Sequence, residues 1–571
     1  MNVFIYYYGM TVVRIVMVAA SFGAGFLIGW LLSPNSAGFR KVAAYVIATV
    51  LVVAAIFANN VIGWNAALLL AIIAFGIGLA FWLRGVTANA FKMPDTLGSS
   101  RWATKDDLKE NDLYGTDGIR IGKAMNEDGE LDWVSYKSDR HLLTVAPTRS
   151  GKGTTQIITN LLTYKGSMMI LDPKGENCSI TAKRRMEMGQ EVHVVDPWGI
   201  VDIEGVEQAT FNPMDWLDLR DIDMSENTMI MADALVMGSN HSDSFWDEES
   251  KALLQGLIAY VAYSPDEDGN RHLGRVRELL NENADDLTKL FKKMENSSFP
   301  IVKSTGARSG QKEAKLLANV LASAQAHTHF LDSNRLRDNM MTSSFKFEDL
   351  KTKPMTIYLV LPADRMTTFG RWLRLLVQQA LTVNARNIEE KPEKPVLFVL
   401  DEFAALGRLN MVEQAYGLMA GFGMQLWGIV QDLSQLERIY GEGWQSFIAN
   451  AGMINYFGSS DQKTAQYFSS MCGEKTVWSL SSAISHTFGT SFGPNGGTSS
   501  NSTSYSDTQS TAQRKLAYPD ELMRLKGNEQ IAFIENMYPL RADKVRWHDD
   551  PELKPLGVDL QAEPVQAQAA D

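Results

Sequence analysis

The sequence predicts an α/β fold in which a mostly parallel sheet is covered on both faces by helices. Three observations carry this reading. Apolar strand-like runs alternate with helical patterns through most of the chain. Several of the runs end in Asp-Pro or Asn-Pro, the punctuation of loops along the crest of such a sheet. One run, His141–Ala146, opens into a small-residue turn and a lysine before a helical stretch, the form taken by phosphate-binding loops.

The elements follow in order. Thr11–Leu32, Val42–Ala58 and Ala66–Leu83 are apolar runs of 22, 17 and 18 residues with Arg14 their only charge. A bilayer needs about 20 apolar residues per helix, so residues 1–84 read as a transmembrane anchor. Positive charge decides the count. Arg40 and Lys41 lie between the first two runs, none lies at 59–65, and Arg84, Lys92, Arg101 and Lys105 follow the third. Three spans with the N-terminus outside put every positive loop in the cytoplasm. Two spans would leave Val42–Ala58 uncrossed beside Arg40 and Lys41, which fits less well.

Residues 85–217 read as a linker with short β-like runs at Ile119–Ile121 and Trp133–Tyr136, then the phosphate-loop strand. Strands Ser167–Leu171 and Glu191–Val195 follow, ending in DPKGEN and DPWG, and FNPMDWL makes a third crest. Residues 218–345 are helical in pattern (Glu248–Ala262, Val276–Met294, Gln311–Ala326) and read as an all-helical domain inserted into the sheet protein. The core resumes over residues 346–545. Its strands are Thr356–Leu361, Val396–Leu400, Gln425–Val430, Gly452–Gly458 and one around Gln530–Glu535. Helices are expected at Gly370–Asn387, Leu409–Ala420, Gln435–Ile448 and Asp461–Met471. Residues 481–512, dominated by Ser, Thr and Gly, are expected to form a flexible loop, and residues 546–571 a disordered tail.

Composition narrows the function. The net charge of −12 leaves no blanket of positive charge, so contact with nucleic acid has to be local, in a groove or pore. Cys178 and Cys472 are too few and too far apart for a zinc site or a disulfide framework, and the eight histidines show no metal-binding spacing. A reduced compartment is the simpler setting.

The candidate site has two halves. In APTRSGKG (146–153), Pro147, Thr148, Arg149, Ser150 and Gly151 form a turn whose N–H groups point at phosphate oxygens. Lys152 bridges terminal phosphates, and the helix that follows offers its positive end. Ala146 stands where the usual motif has its first glycine, and Gly153 where it has a hydroxyl residue; Thr154 and Thr155 are the nearby hydroxyls. In LDEFAALGR (400–408), an apolar strand ends in Asp401 and Glu402 at the sheet edge where ligands sit. Asp401 is placed to hold Mg²⁺ and Glu402 to polarise a water. An LDE turn taken alone is as well explained by a solvated strand end; the upstream phosphate loop tips it toward nucleotide hydrolysis.

GSSRWA (98–103), APTRSGKG, DPKGE (172–176), FNP (211–213), FWDEESKALL (245–254), LDEFAALGRL (400–409), QDLSQL (431–436) and YPDELMRL (518–525) occur in this order. Together with the apolar N-terminus, they resemble the TraG-like (VirD-type) coupling ATPases of bacterial conjugation and type IV secretion, over roughly residues 98–545. The resemblance implies a RecA-like P-loop motor of the FtsK/HerA type, a homo-hexamer on the bacterial inner membrane with its motor in the cytoplasm. It implies ATP and Mg²⁺ as cofactors. Relaxase-bound single-stranded DNA, effector proteins and the secretion channel subunits are the implied partners. Chemistry and resemblance together give residues 147–155 to phosphate binding, Asp401 and Thr154 to the metal, Lys152 and Glu402 to catalysis, and Gln431 to sensing the terminal phosphate. Gln431 is the weakest of these, since a strand-end glutamine is usually just solvated, and Asp172 and Lys174 are as readily structural crest residues. Arg371, Arg374 and Arg408 are candidates for the arginine that reaches a neighbour's phosphate, though each reads first as a surface or helix-face residue. Two departures stand out: the family usually has two spans, and Gly153 displaces the hydroxyl. The competing readings are an FtsK-type DNA translocase for chromosome partitioning and a membrane tether that binds nucleotide without turnover. Residues 546–571 are too short for the translocase's DNA-reading domain, and Glu402 argues against the tether.

Overall fold

The computed structural model describes residues 2–31, 72–73, 76, 98–237, 244–493 and 496–560. They fall into two compact units, one made of residues 1–99 with 474–514 and the other of residues 100–473 with 515–571.

The larger unit is built on one sheet. Its strands in chain order are β1 (Ile119–Met125), β2 (Leu131–Tyr136), β3 (Leu142–Val145), β4 (Met168–Asp172), β5 (Glu191–Val195), β6 (Met355–Val360), β7 (Val396–Asp401), β8 (Met424–Val430) and β9 (Met453–Tyr456). Two further strands, β10 (Glu474–Gly493) and β11 (Gly496–Lys515), form a separate two-stranded sheet. Strands β12 (Glu529–Ile534) and β13 (Leu540–Asp543) close the main sheet, whose order is β2-β1-β13-β12-β9-β3-β8-β7-β4-β6-β5.

From β9 to β5 all neighbours are parallel. From β12 to β2 they are antiparallel. The mostly parallel α/β arrangement is the expected one. The central strands are apolar throughout because both faces are buried. Their alternation divides two cores: Leu143, Val145, Phe398, Leu400 and Val430 face one, and Leu142, Leu397, Val399, Trp427 and Ile429 the other. The first core takes in Met366–Arg386, Asn410–Leu418 and the helices between β5 and β6. The second takes the phosphate-loop helix through Ile157 and Leu161, and Glu176–Glu187 through Cys178 and Ala182.

Between β5 and β6 the described residues hold no strand. Met224–Leu235, Ser244–Tyr263, Leu273–Leu280, Ala284–Glu295, Pro300–Gly310, Ala314–Thr328 and Asn334–Asn339 are helices. Asn-capped Ala284–Glu295 shows why: Asn283 accepts from the N–H groups of Asp285 and Asp286, and Leu287, Leu290, Phe291 and Met294 form a buried stripe. These helices share one continuous buried core with the sheet.

Three expectations change. Residues 481–493 and 496–512 lie in β10 and β11 rather than in a flexible loop. Composition poor in apolar residues cannot build a core, but two neighbouring strands satisfy their backbone groups on each other without one. Residues 546–560, expected as the start of a disordered tail, pack instead. Trp547 and Leu553 are buried with Trp133, Ile158, Leu162 and Ile180, and the Val558 N–H donates to the Ile180 carbonyl. Two large apolar side chains suffice to dock a short polar segment; residues 561–571 lie outside the described residues. At the N-terminus, Asn2–Leu31 is helical, but among the described residues no helix is long and apolar enough to cross a membrane. The runs at 42–58 and 66–83 fall almost wholly outside the described residues, so multiple spans rest on the sequence alone.

Candidate nucleotide site

β3 lies between β8 and β9, and its chain continues into the loop that the sequence singled out. The Ala146 N–H donates to the Val430 carbonyl at 2.8 Å, which ties the loop's start to the end of β8. Pro147 and Ser150 close a turn, with the Ser150 N–H on the Pro147 carbonyl at 3.1 Å. Thr148 and Arg149 are exposed at its tip. Arg149 (φ +63°) and Gly151 (φ +92°) take left-handed backbone. Alternating handedness of this kind turns successive N–H groups to one side, an anion-binding concavity.

The helix after the loop begins irregularly. Gly153–Ile157 is a π-helical turn and Ile158–Thr163 the regular α-helix. Such turns recur at functional sites because they shift the register of the groups at a helix start. The Gly151 carbonyl gathers the Thr155 N–H (2.9 Å) and the hydroxyls of Thr154 (3.2 Å) and Thr155 (2.8 Å). Thr155 is buried and Thr154 half-buried. A Cβ built on Gly153 meets nothing within 4 Å, so the glycine at the usual hydroxyl position is not demanded by space.

β7 runs beside β8 and ends at the same edge, with Asp401 level with Ile429. Lys152 Nζ donates to Asp401 Oδ1 and to Glu402 Oε1, both at 2.7 Å. Gln431 Nε2 donates to the Glu402 carboxylate at 3.0 and 3.2 Å. The structure thus joins Lys152, Asp401, Glu402 and Gln431 in one hydrogen-bonded cluster across three strand ends. Burial pushes the Asp401 carboxyl up from its ordinary range, against the pull of Lys152. Burial works against the Lys152 ammonium, but the two carboxylates outweigh it and hold its pKa above the usual value. Glu402 sits at φ +55°, an uncommon conformation for a residue with a side chain. Backbone strain of this kind persists where the surroundings over-determine it, and active sites are a common case.

Asp172, which the sequence left open, ends β4 and is 2 % exposed. It accepts the Cys178 N–H at 2.8 Å and so caps the start of Glu176–Glu187. Burial, with the nearby Asp401 charge, raises its carboxyl to about 6. Lys174 is exposed, 4.0 Å from Glu176. Of the arginine candidates, Arg374 is buried and donates to the carbonyls of Ala234, Leu406 and Arg408. It braces the loop after LDE. Arg408 is paired with Glu413 at 3.2 Å, and burial lowers the pKa of Arg371. Among the described residues no group of three His, Cys, Asp or Glu could hold a metal ion. The donors at hand are one carboxylate and one hydroxyl, both half-buried, a set that suits a cation keeping most of its waters.

Sequence reasoning missed Lys544, whose Nζ donates to the Ser150 carbonyl of the loop at 3.3 Å. Nothing local in DKVRW marks it; the contact spans 394 residues.

The fold is shared with solved coupling proteins. An unbound structure titled bacterial conjugative coupling protein TrwBdeltaN70 superposes with a TM-score of 0.57 at 16% identity, covering 78% of this chain and 92% of that one. A plasmid coupling protein TrwB in complex with ADP and Mg²⁺ gives 0.56 at 16% identity, over 78% and 94%. Among curated relatives, Protein VirD4 of Agrobacterium fabrum is 25% identical over 500 residues, 82% of this chain and 68% of that protein. Conjugal transfer protein TraG of Escherichia coli is 26% identical over 485 residues, 78% of this chain and 74% of that protein. Residues 91–570 match the model of the family described as type IV secretory system conjugative DNA transfer, and the chain belongs to that family.

Proposed function

We propose that the chain is a membrane-anchored ATPase motor that couples relaxase-bound single-stranded DNA, effector proteins or both to a type IV secretion channel and powers their transfer. The observation that carries the hydrolytic part is the cluster in which Lys152 lies 2.7 Å from both Asp401 and Glu402 while Gln431 holds Glu402. It assembles, at the crest of one sheet, a phosphate-facing cation, a metal-holding carboxylate and a water-polarising carboxylate. These are the parts phosphoryl transfer needs, because most of its catalysis is positioning and charge stabilisation.

In this reading residues 147–155 cradle the phosphates of ATP. Asp401 and Thr154 hold Mg²⁺, which neutralises charge on the phosphates when bound. Lys152 exchanges a carboxylate for phosphate oxygens, freeing Glu402 to accept a water proton. Gln431 keeps Glu402 oriented and reports on the terminal phosphate. The solved TrwB complexes with ADP and Mg²⁺ and with a non-hydrolysable ATP analogue support the cofactors. Membrane anchoring rests on the three apolar runs of residues 11–83. The hexameric assembly, the inner membrane and the partners rest on kinship with the conjugative DNA transfer family and with conjugal transfer protein TraG. That kinship also sets aside the chromosome-partitioning alternative.

Two variants of the purified chain test the site. Lys152→Ala is expected to lose ATP hydrolysis, and wild-type turnover there would refute the assignment. Glu402→Gln keeps size but loses the base, so it is expected to bind ATP and turn it over at least about 100-fold more slowly. Loss of ATP affinity instead would make Glu402 a metal ligand or a structural residue.

A further inference from the structure

Lys544 directly follows β13, and its own N–H is fixed on the Asn528 carbonyl at 2.7 Å. Its side chain crosses to the phosphate loop. The ammonium lies 4.0 Å from the centroid of the Phe457 ring and donates to the Ser150 carbonyl at 3.3 Å. Phe457 is itself anchored beside the loop, its N–H on the Val145 carbonyl at 3.0 Å. Among the described residues no carboxylate is paired with Lys544. Burial and the Arg546 charge lower its pKa to about 8. A half-buried cation is thus held on one peptide carbonyl and one aromatic face.

That carbonyl belongs to the peptide whose N–H is that of Gly151. In a planar trans peptide the C=O and N–H point in opposite directions. A donor pulling on the Ser150 oxygen from behind the loop therefore aims the Gly151 N–H at the opposite side. The peptide needs such a hold because Gly151 has no Cβ to restrict it and takes φ +92°, so the plane before it rotates easily. The buried Ser150 hydroxyl has no hydrogen-bond partner among the described residues and does not supply the hold. A positive charge on the carbonyl also polarises the amide and strengthens its N–H as a donor.

The same segment grips the neighbouring turn. The Trp547 N–H donates to the Thr154 carbonyl at 3.0 Å. Asp550 pairs with Lys123 at 2.7 Å and Glu552 with Arg120 at 2.8 Å, both on β1.

We infer that Lys544 is a positioning residue of the nucleotide site, locking the Ser150–Gly151 peptide so that the Gly151 N–H faces the phosphates. The inference rests on the reading of this loop as the ATP site. Its test uses the full chain with Lys544→Met, Lys544→Arg and, as reference, Lys152→Ala. Binding of a fluorescent ATP analogue with Mg²⁺, KM and kcat for ATP, and thermal melting are measured.

Lys544→Met is expected to weaken analogue binding and raise KM about tenfold, the scale of one charge-assisted hydrogen bond, with kcat changing less than KM. Lys544→Arg restores binding because it can still donate to the carbonyl. Binding in Lys544→Met within about twofold of wild type overturns the inference, whatever happens to melting. So does a loss that Lys544→Arg fails to rescue. If Lys152→Ala binds the analogue as wild type does, the reading of the loop itself has failed. If Lys152→Ala fails to bind while Lys544→Met binds normally, only the role of Lys544 has.

Discussion

Lys152 stabilises a pair of carboxylates, one of them largely buried, so its removal is felt in the protein without nucleotide as well as in turnover. Taking away one partner of a buried ion pair leaves its charge uncompensated. Lys152→Ala is expected to cost about 3 kcal/mol by urea denaturation at neutral pH; a loss below about 1 kcal/mol would mean that water already solvates the cluster. Gly153 makes a complementary case. With open space at its Cβ, Gly153→Thr is expected to melt as wild type does and to need less Mg²⁺ for half-maximal turnover; a melting point several degrees lower would reveal crowding that the backbone does not show. Two buried groups set opposing pH dependences. His141 is fully buried, its Nε2 at 2.8 Å from the Ala415 carbonyl and its Nδ1 accepting from the Leu426 N–H, an arrangement that fits the neutral ring. Burial lowers its pKa to about 4. The unfolded ring therefore binds its proton first, and stability is lost as pH falls from the ordinary histidine value toward 4, by about 3 kcal/mol. Asp172 acts the other way. Its carboxyl, raised to about 6, costs stability when ionised, and that cost is relieved as pH falls from 6 toward the ordinary aspartate value. The two offset each other in the wild type. Asp172→Asn is expected to expose the histidine slope, so that denaturation midpoints at pH 4.5 and 7 diverge more than in wild type; equal divergence would remove Asp172 from the balance.

At the scale of elements, the segment after β13 is the one whose structure its composition hides. Leu553 is wholly buried among Trp133, Ile158, Leu162, Ile180 and Trp547, on the helix that carries the phosphate loop. Leu553→Ala is expected to cost about 3 kcal/mol, as large-to-small changes in a packed site do. It is also expected to weaken nucleotide binding, because the same segment holds Ser150 and Thr154. Unfolding midpoints and ATP-analogue affinity measured together decide this; a loss of stability with affinity unchanged would uncouple the segment from the loop. The helices between β5 and β6 behave differently. Leu273–Leu280 and Ala284–Glu295 carry their own buried apolar stripes and side-chain caps, His272 and Asn283, so the sequence displays them locally.

For the whole molecule, the expected division of labour is a generic motor and a variable helical block. The described part of residues 218–345 is helical, and cargo selection is expected to vary on the exposed faces of such a block while the sheet is kept. Exchanging this block for that of a related coupling protein is expected to redirect relaxase or effector binding while ATPase activity persists. Cargo preference that instead followed residues after 550 would move the receptor role to the tail. Membrane topology is tested by a reporter fused before residue 10, which three spans place in the periplasm and two in the cytoplasm.

The sequence by itself determined most strands of the main sheet, the strand-free helical run between β5 and β6 and the residue types that make up the two halves of the candidate site. Each of these is written locally: apolar period, Asp-Pro and Asn-Pro ends, a small-residue loop before a lysine, and carboxylates after an apolar run. Tertiary structure alone decided that β3 lies between β8 and β9, and with it that Lys152 meets carboxylates 249 and 250 residues away. A strand's pattern reports how deeply it is buried but not which strand it pairs with, since any apolar neighbour satisfies it. For the same reason Arg374 read as a candidate to reach a neighbour's phosphate, yet three carbonyls hold it as a brace. The paired strands β10 and β11 were hidden because a backbone ladder leaves little mark on composition. Lys544 was invisible because its partners are a backbone carbonyl, which carries no sequence signature at all, and an aromatic ring 87 residues away in the chain that no local pattern links to it.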